Sequence, residues 1–268
     1  MLSKQRYMND GRDRLMNRRL YIFDIDDTLL IDNKLSDHTI MALDIIREKG
    51  HKIAINTGRM RSIVDQKILD YCDYSICANG ATFHEGNKIV DQVIIEDEIS
   101  KELLELTQDL DVAVAFRNDS GYHIPYNLQL ALIFEKRYNE EFLERVFRSV
   151  DVNGSYNYFV YTADNMIPEV LSNFTQKHGL IVSPSLDAAF DIFNPKMIKG
   201  DRLDELRRKL PGYEFIGFGN SENDMSFLVK CNQAYYLSNC DGDNDFITYI
   251  PQNDHSILDV IKSIEVVS

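Results

Sequence analysis

The chain has 268 residues, 44% of them apolar, enough for one large domain or two smaller ones with a packed core. Its formal charge of −14, from 29 basic against 43 acidic residues, leaves no evident basic face, which argues against a nucleic-acid partner. No apolar run approaches the roughly 18 residues of a membrane-spanning helix, and residues 1–19 hold no apolar stretch of the secretory type, so neither a membrane partner nor a signal is expected. Those residues, with Lys4, Arg6, Arg12, Arg14, Arg18 and Arg19 interrupted by Asp10 and Asp13, read as a loose or partly helical tail. Leu20-Tyr21-Ile22-Phe23 then reads as a buried strand that turns abruptly acidic at Asp24. Ser36 can cap a helix running through Lys49, with Ile40, Leu43 and Ile46 on its apolar face and Gly50 to end it. Strands at 51–56 and Tyr74–Ala78 flank a helix expected around Ser62–Leu69. This strict alternation implies a parallel, doubly wound α/β sheet.

After Asn79-Gly80-Ala81 the pattern changes to mixed α+β. Strand-like runs at Lys88–Ile95, Val112–Phe116, Tyr158–Tyr161 and Leu180–Val182 are interleaved with helices marked by Ile99, Leu103 and Leu106 and by Pro168–Lys177. Alternation resumes with the Leu203, Leu206 and Leu210 stripe, a strand at Glu214–Phe218, a helix at Asp224–Lys230 and a strand at Ala234–Leu237. The expected division is a tail (1–19), a core built from both ends (20–81 and 187–268) and an inserted α+β cap (82–186). Cys72, Cys77, Cys231 and Cys240 have no metal-ligand spacing and read as reduced thiols of a cytoplasmic protein.

Four stretches carry chemistry, each behind an expected strand or at a helix start. Asp24, Asp26 and Asp27 crowd one strand end, where ligands of an open α/β sheet collect. Their mutual repulsion calls for a cation, and Mg²⁺ is a hard one that takes oxygen ligands. Thr57-Gly58-Arg59 presents a hydroxyl, a small residue and backbone amides, a phosphate-binding set that is equally an ordinary capped helix start. Lys199-Gly200 opens a helix; Lys196 competes with Lys199 as the local cation. Gly217-Phe218-Gly219-Asn220-Ser221-Glu222-Asn223-Asp224 reads by composition as a plain loop.

Taken in order, these stretches resemble the motifs of the haloacid dehalogenase (HAD) superfamily, Cof-type branch (class IIB). Asp24-x-Asp26-x-Thr28 is similar to its first motif, Thr57-Gly58-Arg59 to its second, Asp191-Ile192-x-x-Pro195-x-x-x-Lys199-Gly200 to its third, and Asn220-Ser221-Glu222-Asn223-Asp224 to its fourth; Asn79-Gly80-Ala81 is a marker of the branch. The resemblance implies a Rossmann-like core with a C2B-type cap, and an Mg²⁺-dependent phosphatase of small phosphorylated metabolites. It implies Asp24 as nucleophile, forming an aspartyl-phosphate, and Asp26 as general acid and base. Thr57, Gly58, Arg59, Asn79, Lys199 and Asn223 would face the phosphoryl group or substrate, and Asp24, Asp26, Asn220 and Asp224 the metal. Asn220 departs from the family's usual aspartate, and Asp27 stands where many relatives have glycine. A phosphomutase of the phosphomannomutase type and a weakly catalytic phospho-ligand sensor stay open as alternatives. The cap is expected to select the substrate, with Arg117, Asn118, His123 and Tyr126 as its polar candidates. A sugar phosphate and a phosphorylated cofactor remain equally open, as does the oligomeric state, monomer or weak dimer.

Overall fold

The computed structural model describes residues 18–127, 146–162, 166–184, 189–240, 242 and 244–266. Within them the chain divides into two compact units, one from residues up to Gly58, Asp65–Val90 and from Ile198 onward, the other from Arg59–Val64 and Asp91–Met197. The tail expected over 1–19 lies outside the described residues except for its end, where Arg19 already belongs to the first strand.

The first unit is built on an eight-stranded sheet. In chain order its strands are β1 (Arg19–Phe23), β4 (Lys52–Asn56), β5 (Tyr74–Cys77), β6 (Thr82–Glu85), β7 (Lys88–Gln92), β14 (Glu214–Gly219), β15 (Gln233–Leu237) and β16 (Thr248–Ile250). Across the sheet the order is β16-β15-β14-β1-β4-β5-β6-β7. β1 pairs in parallel with β4 on one side and β14 on the other, so the winding reverses at β1. Such a reversal opens a crevice beyond the carboxyl ends of the strands. The register places Phe23 beside both Ile55 and Phe218, so Asp24, Asn56 and Gly219 lie at one level at the sheet's carboxyl edge.

Helices cover both faces. Helix α1 (Asp37–Glu48) forms where expected: Ser36 Oγ accepts from Thr39 N at 3.1 Å, and Ala42, Leu43 and Ile46 are buried. The C-terminal helix packs beside it on the same face; we number it α7 (Ser256–Val266). On the other face α5 (Asp201–Lys209) buries Leu203 and Leu206 in the cluster that includes Leu20, Ile22, Phe215 and Phe227. The helix expected over Ser62–Leu69 is broken into a 3₁₀ turn (Arg61–Ile63) and a short α2 (Gln66–Leu69). Asp65 is the reason, since its carboxylate caps the second piece through Lys67 N at 2.8 Å. The helix expected from Asp224 is likewise a 3₁₀ turn (Glu222–Asp224) followed by α6 (Met225–Leu228). A small hairpin, β2 (Leu30–Ile31) and β3 (Lys34–Leu35), was not expected. Its turn, Asp32-Asn33, has φ of 51° and 58°, the left-handed pair that a two-residue hairpin requires and that Asp and Asn tolerate.

The second unit has a six-stranded sheet of order β10-β9-β8-β11-β13-β12, from Val146–Phe147, Gly121–His123, Val112–Asn118, Asn157–Thr162, Ala189–Phe193 and Ile181–Pro184. Helices α3 (Asp97–Thr107) and α4 (Glu169–His178) bring Leu103, Leu171 and Phe174 to one face, against Val112, Val114, Phe116, Tyr158 and Val160. The alternate residues Ala113, Ala115, Phe159 and Tyr161 pack with Met60, Tyr122 and Ile124 on the other.

Both boundaries of the insert differ from those expected. β6 returns antiparallel to β5, extending the first sheet, so residues 82–90 stay with the core. At the other end β13 pairs antiparallel with β11 and β12, so the second unit runs on to Met197 rather than ending at 186. Strand pairing partners, invisible to a local pattern, decide this.

Candidate active site

Asp24 directly follows β1 and continues its ladder, donating its N–H to Phe218 O at 2.9 Å. The residue is 5% exposed. Lys199 Nζ lies between two carboxylates, 2.9 Å from Asp24 Oδ1 and 2.7 Å from Asp224 Oδ1. Burial pulls the ammonium down, but Asp24 and Asp224 outweigh it and hold Lys199 above its ordinary range. Of the two competing lysines, Lys196 is exposed and Lys199 is buried in this cluster.

The position of Lys199 is set by its backbone. Asn56, at the end of β4, donates from Nδ2 to Lys199 O at 3.1 Å. Arg202 Nε reaches Gly80 O at 3.0 Å, tying α5 to the turn after β5. That turn needs its glycine: Gly80 has φ of 95°, and a Cβ there would meet Ile198 O at 2.8 Å. Asn79 also sits in the left-handed region, at φ 56°, and its N–H bonds Thr57 O at 3.1 Å. Asn79 Oδ1 lies 3.0 Å from where a Cβ on Gly58 would stand, so Gly58 leaves room for it. Thr57 is buried at the end of β4. Arg59 belongs to the second unit, so the Thr57-Gly58-Arg59 run is divided between the two.

The loop after β14 closes the cluster. Asp224 Oδ2 accepts from Asn220 N at 3.0 Å, Ser221 N at 3.0 Å and Ser221 Oγ at 2.8 Å. With Oδ1 on Lys199, both oxygens are engaged. Asp224, expected as a metal ligand, anchors the loop and the lysine. Its sequence position three residues after Ser221 forms a capping box, which explains the geometry. Asn220 Oδ1 accepts the Thr28 hydroxyl at 3.1 Å, joining the first and fourth motifs. Asp26 is exposed beyond Asp24. Asn223 is also exposed, and its side chain makes no hydrogen bond among the described residues. Asn56, Thr28, Ser221 and Arg202 were not named as site residues; Thr28 and Ser221 stand within the first and fourth motifs, Asn56 is a polar residue closing an apolar strand, and Arg202 carried no local signal.

The charge balance of the site shows what it can hold. Burial first, opposed by Lys199 and reinforced by Asp224 and Asp26, pushes the Asp24 carboxyl up to about 7. Two buried carboxylates thus share one lysine, and the cluster is short of positive charge. The side-chain oxygens that Asp24 and Asn220 bring to it are hard donors. This donor set fits a hard divalent cation.

The polar candidates of the second unit are engaged within their own sheet. Arg117 stacks on Tyr122, 5.0 Å from the ring centre, and lies 3.7 Å from Asp191. Asn118 Oδ1 accepts from Ser120 N at 3.0 Å and Oγ at 2.7 Å, and His123 Nε2 lies 2.7 Å from that hydroxyl. Tyr126 is half-buried.

Solved structures share this architecture. A HAD subclass IIB sugar phosphatase, BT4131, is 20% identical with a TM-score of 0.69, over 92% of this chain and 99% of its own. BT1666 from Bacteroides thetaiotaomicron, described among phosphatases of the superfamily, is 22% identical with a TM-score of 0.71, over 94% and 96%. TM0651 from Thermotoga maritima is 18% identical with a TM-score of 0.74, over 92% and 97%. At such identities the likeness defines the fold, a doubly wound α/β core with an α+β companion. Comparison with curated proteins finds no match. The family model for haloacid dehalogenase-like hydrolases matches residues 21–243, and the chain belongs to that family.

Proposed function

We propose that this hydrolase is an Mg²⁺-dependent phosphatase that cleaves a small phosphorylated metabolite through an aspartyl-phosphate. The observation that carries the reading is the buried Asp24–Lys199–Asp224 array at the carboxyl edge of β1. Asp24 Oδ2, the oxygen not held by Lys199, is the attacking atom, and the acyl phosphate it forms is labile to water. Lys199 lowers the repulsion between the incoming phosphate and the carboxylate. Asp26, exposed beside it, protonates the leaving oxygen and then takes a proton from water. Thr57, Gly58 and the amides behind them receive the phosphoryl oxygens. Asp24, the Asp26 carbonyl and Asn220 would hold the Mg²⁺, which when bound neutralises charge on the phosphoryl oxygens. We assign substrate choice to the second unit, and a cytoplasmic setting to the chain, whose four cysteines are free thiols. BT4131, described as a sugar phosphatase, makes sugar phosphates the first class to examine.

The test is a panel of phosphorylated sugars and cofactors with Mg²⁺, using Asp24→Asn as the blank. Release of phosphate from none of them by the parent, p-nitrophenyl phosphate included, would overturn the phosphatase reading. Phosphate transfer that depends on a sugar bisphosphate would mark a mutase.

Asn220 sets a quantitative expectation. An amide oxygen in place of a carboxylate removes one negative charge from the metal's surroundings. The screened loss is on the order of 1–3 kcal/mol, or roughly tenfold to a hundredfold in affinity. Asn220→Asp is therefore expected to tighten Mg²⁺ binding by that factor in a calorimetric titration. Equal affinities would show that position 220 does not touch the ion.

A further inference from the structure

The face of the first unit that carries α1 and α7 holds a second group of ligating side chains, apart from Asp24. His38, in the first turn of α1, and Asp254 and His255, just before α7, come together from segments 216 residues apart. His38 Nδ1 lies 3.2 Å from Asp254 Oδ2, and His255 Nδ1 lies 3.1 Å from Asp254 Oδ1. The three ligand atoms are all within 4.8 Å of one another. The two rings meet edge to face at 5.9 Å.

We propose that His38, Asp254 and His255 form a binding site for a borderline divalent transition metal, Zn²⁺ first among them. The donor set separates it from the cluster at Asp24: imidazole nitrogen favours Zn²⁺ and its neighbours in the first transition row, whereas an all-oxygen set favours Mg²⁺. The spacing fits. Ligand atoms that each lie about 2.0–2.2 Å from a tetrahedral ion stand a little over 3 Å apart; here each imidazole nitrogen is that far from one of the two Asp254 oxygens, and a small turn of the carboxylate brings one oxygen to both. Three protein ligands leave the fourth position to water, as their half-exposed side chains allow.

The scaffold is held before any metal arrives. Ser36, the cap of α1, donates its hydroxyl to Asp254 O at 3.2 Å. Asn253 Oδ1 accepts from His255 N at 3.2 Å, Ser256 N at 3.0 Å and Ser256 Oγ at 2.8 Å. Preorganisation of this kind lowers the ordering cost of binding. In the metal-free state each Nδ1–H can donate to the carboxylate. Coordination requires the Nδ1 lone pair, so each imidazole then carries its hydrogen on Nε2.

A bound ion would clamp α1 to the 251–255 turn. The same turn reaches the acidic loop, because Gln252 Nε2 donates to Asp27 O at 3.1 Å. Occupancy therefore stiffens the segment following Asp26.

The test is a Zn²⁺ titration by calorimetry in excess Mg²⁺, on a Cys240→Ser background that removes the exposed thiol. One Zn²⁺ per chain with micromolar affinity is expected, weakened at least tenfold in His38→Ala and again in His255→Ala. Imidazole resonances of His38 and His255 are expected to shift, with those of His51, His84, His123 and His178 unmoved. Zn²⁺ should raise the melting temperature of the background protein and not that of His38→Ala. Zn²⁺-free turnover should be the same in both. Unchanged zinc affinity in both histidine variants, or His38 and His255 resonances that stay in place while zinc binds, would overturn the site. Neither result bears on the phosphatase reading, which rests on other residues.

Discussion

Asp24→Asn should abolish turnover while leaving the chain folded, and more stable than the parent above about pH 7. Loss of a nucleophile typically costs on the order of 10⁴-fold or more in rate, and Lys199 keeps its second partner, Asp224, at 2.7 Å. The stability effect follows from the raised carboxyl. Burial, with Asp224 and Asp26 against Lys199, brings Asp24 up to about 7 in the folded chain, against about 4 when unfolded. A carboxyl raised in this way binds its proton more tightly in the folded state, so ionising it costs stability. The cost is absent below about pH 4, grows as the pH rises and is complete above about pH 7. An amide carries no such cost. In chelator, the variant should therefore melt above the parent at about pH 8.5, with the gap closing toward about pH 4. Turnover of p-nitrophenyl phosphate at the parent rate would remove Asp24 from the mechanism, and a gap that does not change with pH would contradict the charge balance drawn for the cluster.

Glu265→Ala should lower the stability of the first unit by about 3–5 kcal/mol, a fall in melting temperature on the order of 10 °C. Glu265 is on α7, 4% exposed. It receives Arg19 Nη1 at 2.8 Å, the Tyr21 hydroxyl, and His51 Nε2 at 3.1 Å. Arg19 also reaches Glu214 at 3.0 Å, so β1, β14 and α7 share the network. Truncating the glutamate leaves a buried guanidinium short of its partner and a buried phenol unpaired. Burial pulls Glu265 up, but Tyr21, Arg19 and His51 outweigh it and hold it below its ordinary range. Its contribution is thus present near neutral pH and lost as the pH falls below about 5, so the variant's stability should vary less there than the parent's. Asp204→Ala, which removes an exposed partner of Lys230 at 2.7 Å, is the control and should change stability by about 0.5 kcal/mol or less. Equal effects of the two substitutions in a thermal melt would show that the network contributes nothing beyond surface pairing.

The two experiments divide the molecule's charges by what they do. Lys199 and its carboxylates lie at the carboxyl edge of the sheet, where the charge deficit favours a cation. Arg19 and Lys52, by contrast, begin β1 and β4, and the Glu265 network is at that amino edge, fully paired within the protein. The first arrangement is costly to stability and useful to chemistry, and the second is the reverse.

Much of this was legible in the chain. An apolar run that breaks into acid places a carboxylate at a strand's end whatever the rest of the fold does, because a strand buried on both faces must be apolar until it leaves the sheet. Asp24, Thr57 and the loop at 217–224 were located in this way, and α1 was bounded by Ser36 and Gly50 through local hydrogen bonding and backbone freedom. What the tertiary structure alone decided depends on neighbours distant in sequence. Asp24 and Lys199 are 175 residues apart, and they meet because the parallel register sets Phe23 beside Phe218 and Ile55. Asp224 anchors the loop because three donors from its own turn reach one oxygen, leaving the other for the lysine. Strand pairing moved the unit boundaries to 90 and 197, and Glu265 found its partners only when α7 folded back over β1. Periodicity reports which face of an element is buried; the partner that buries it is chosen by register and packing over the whole chain.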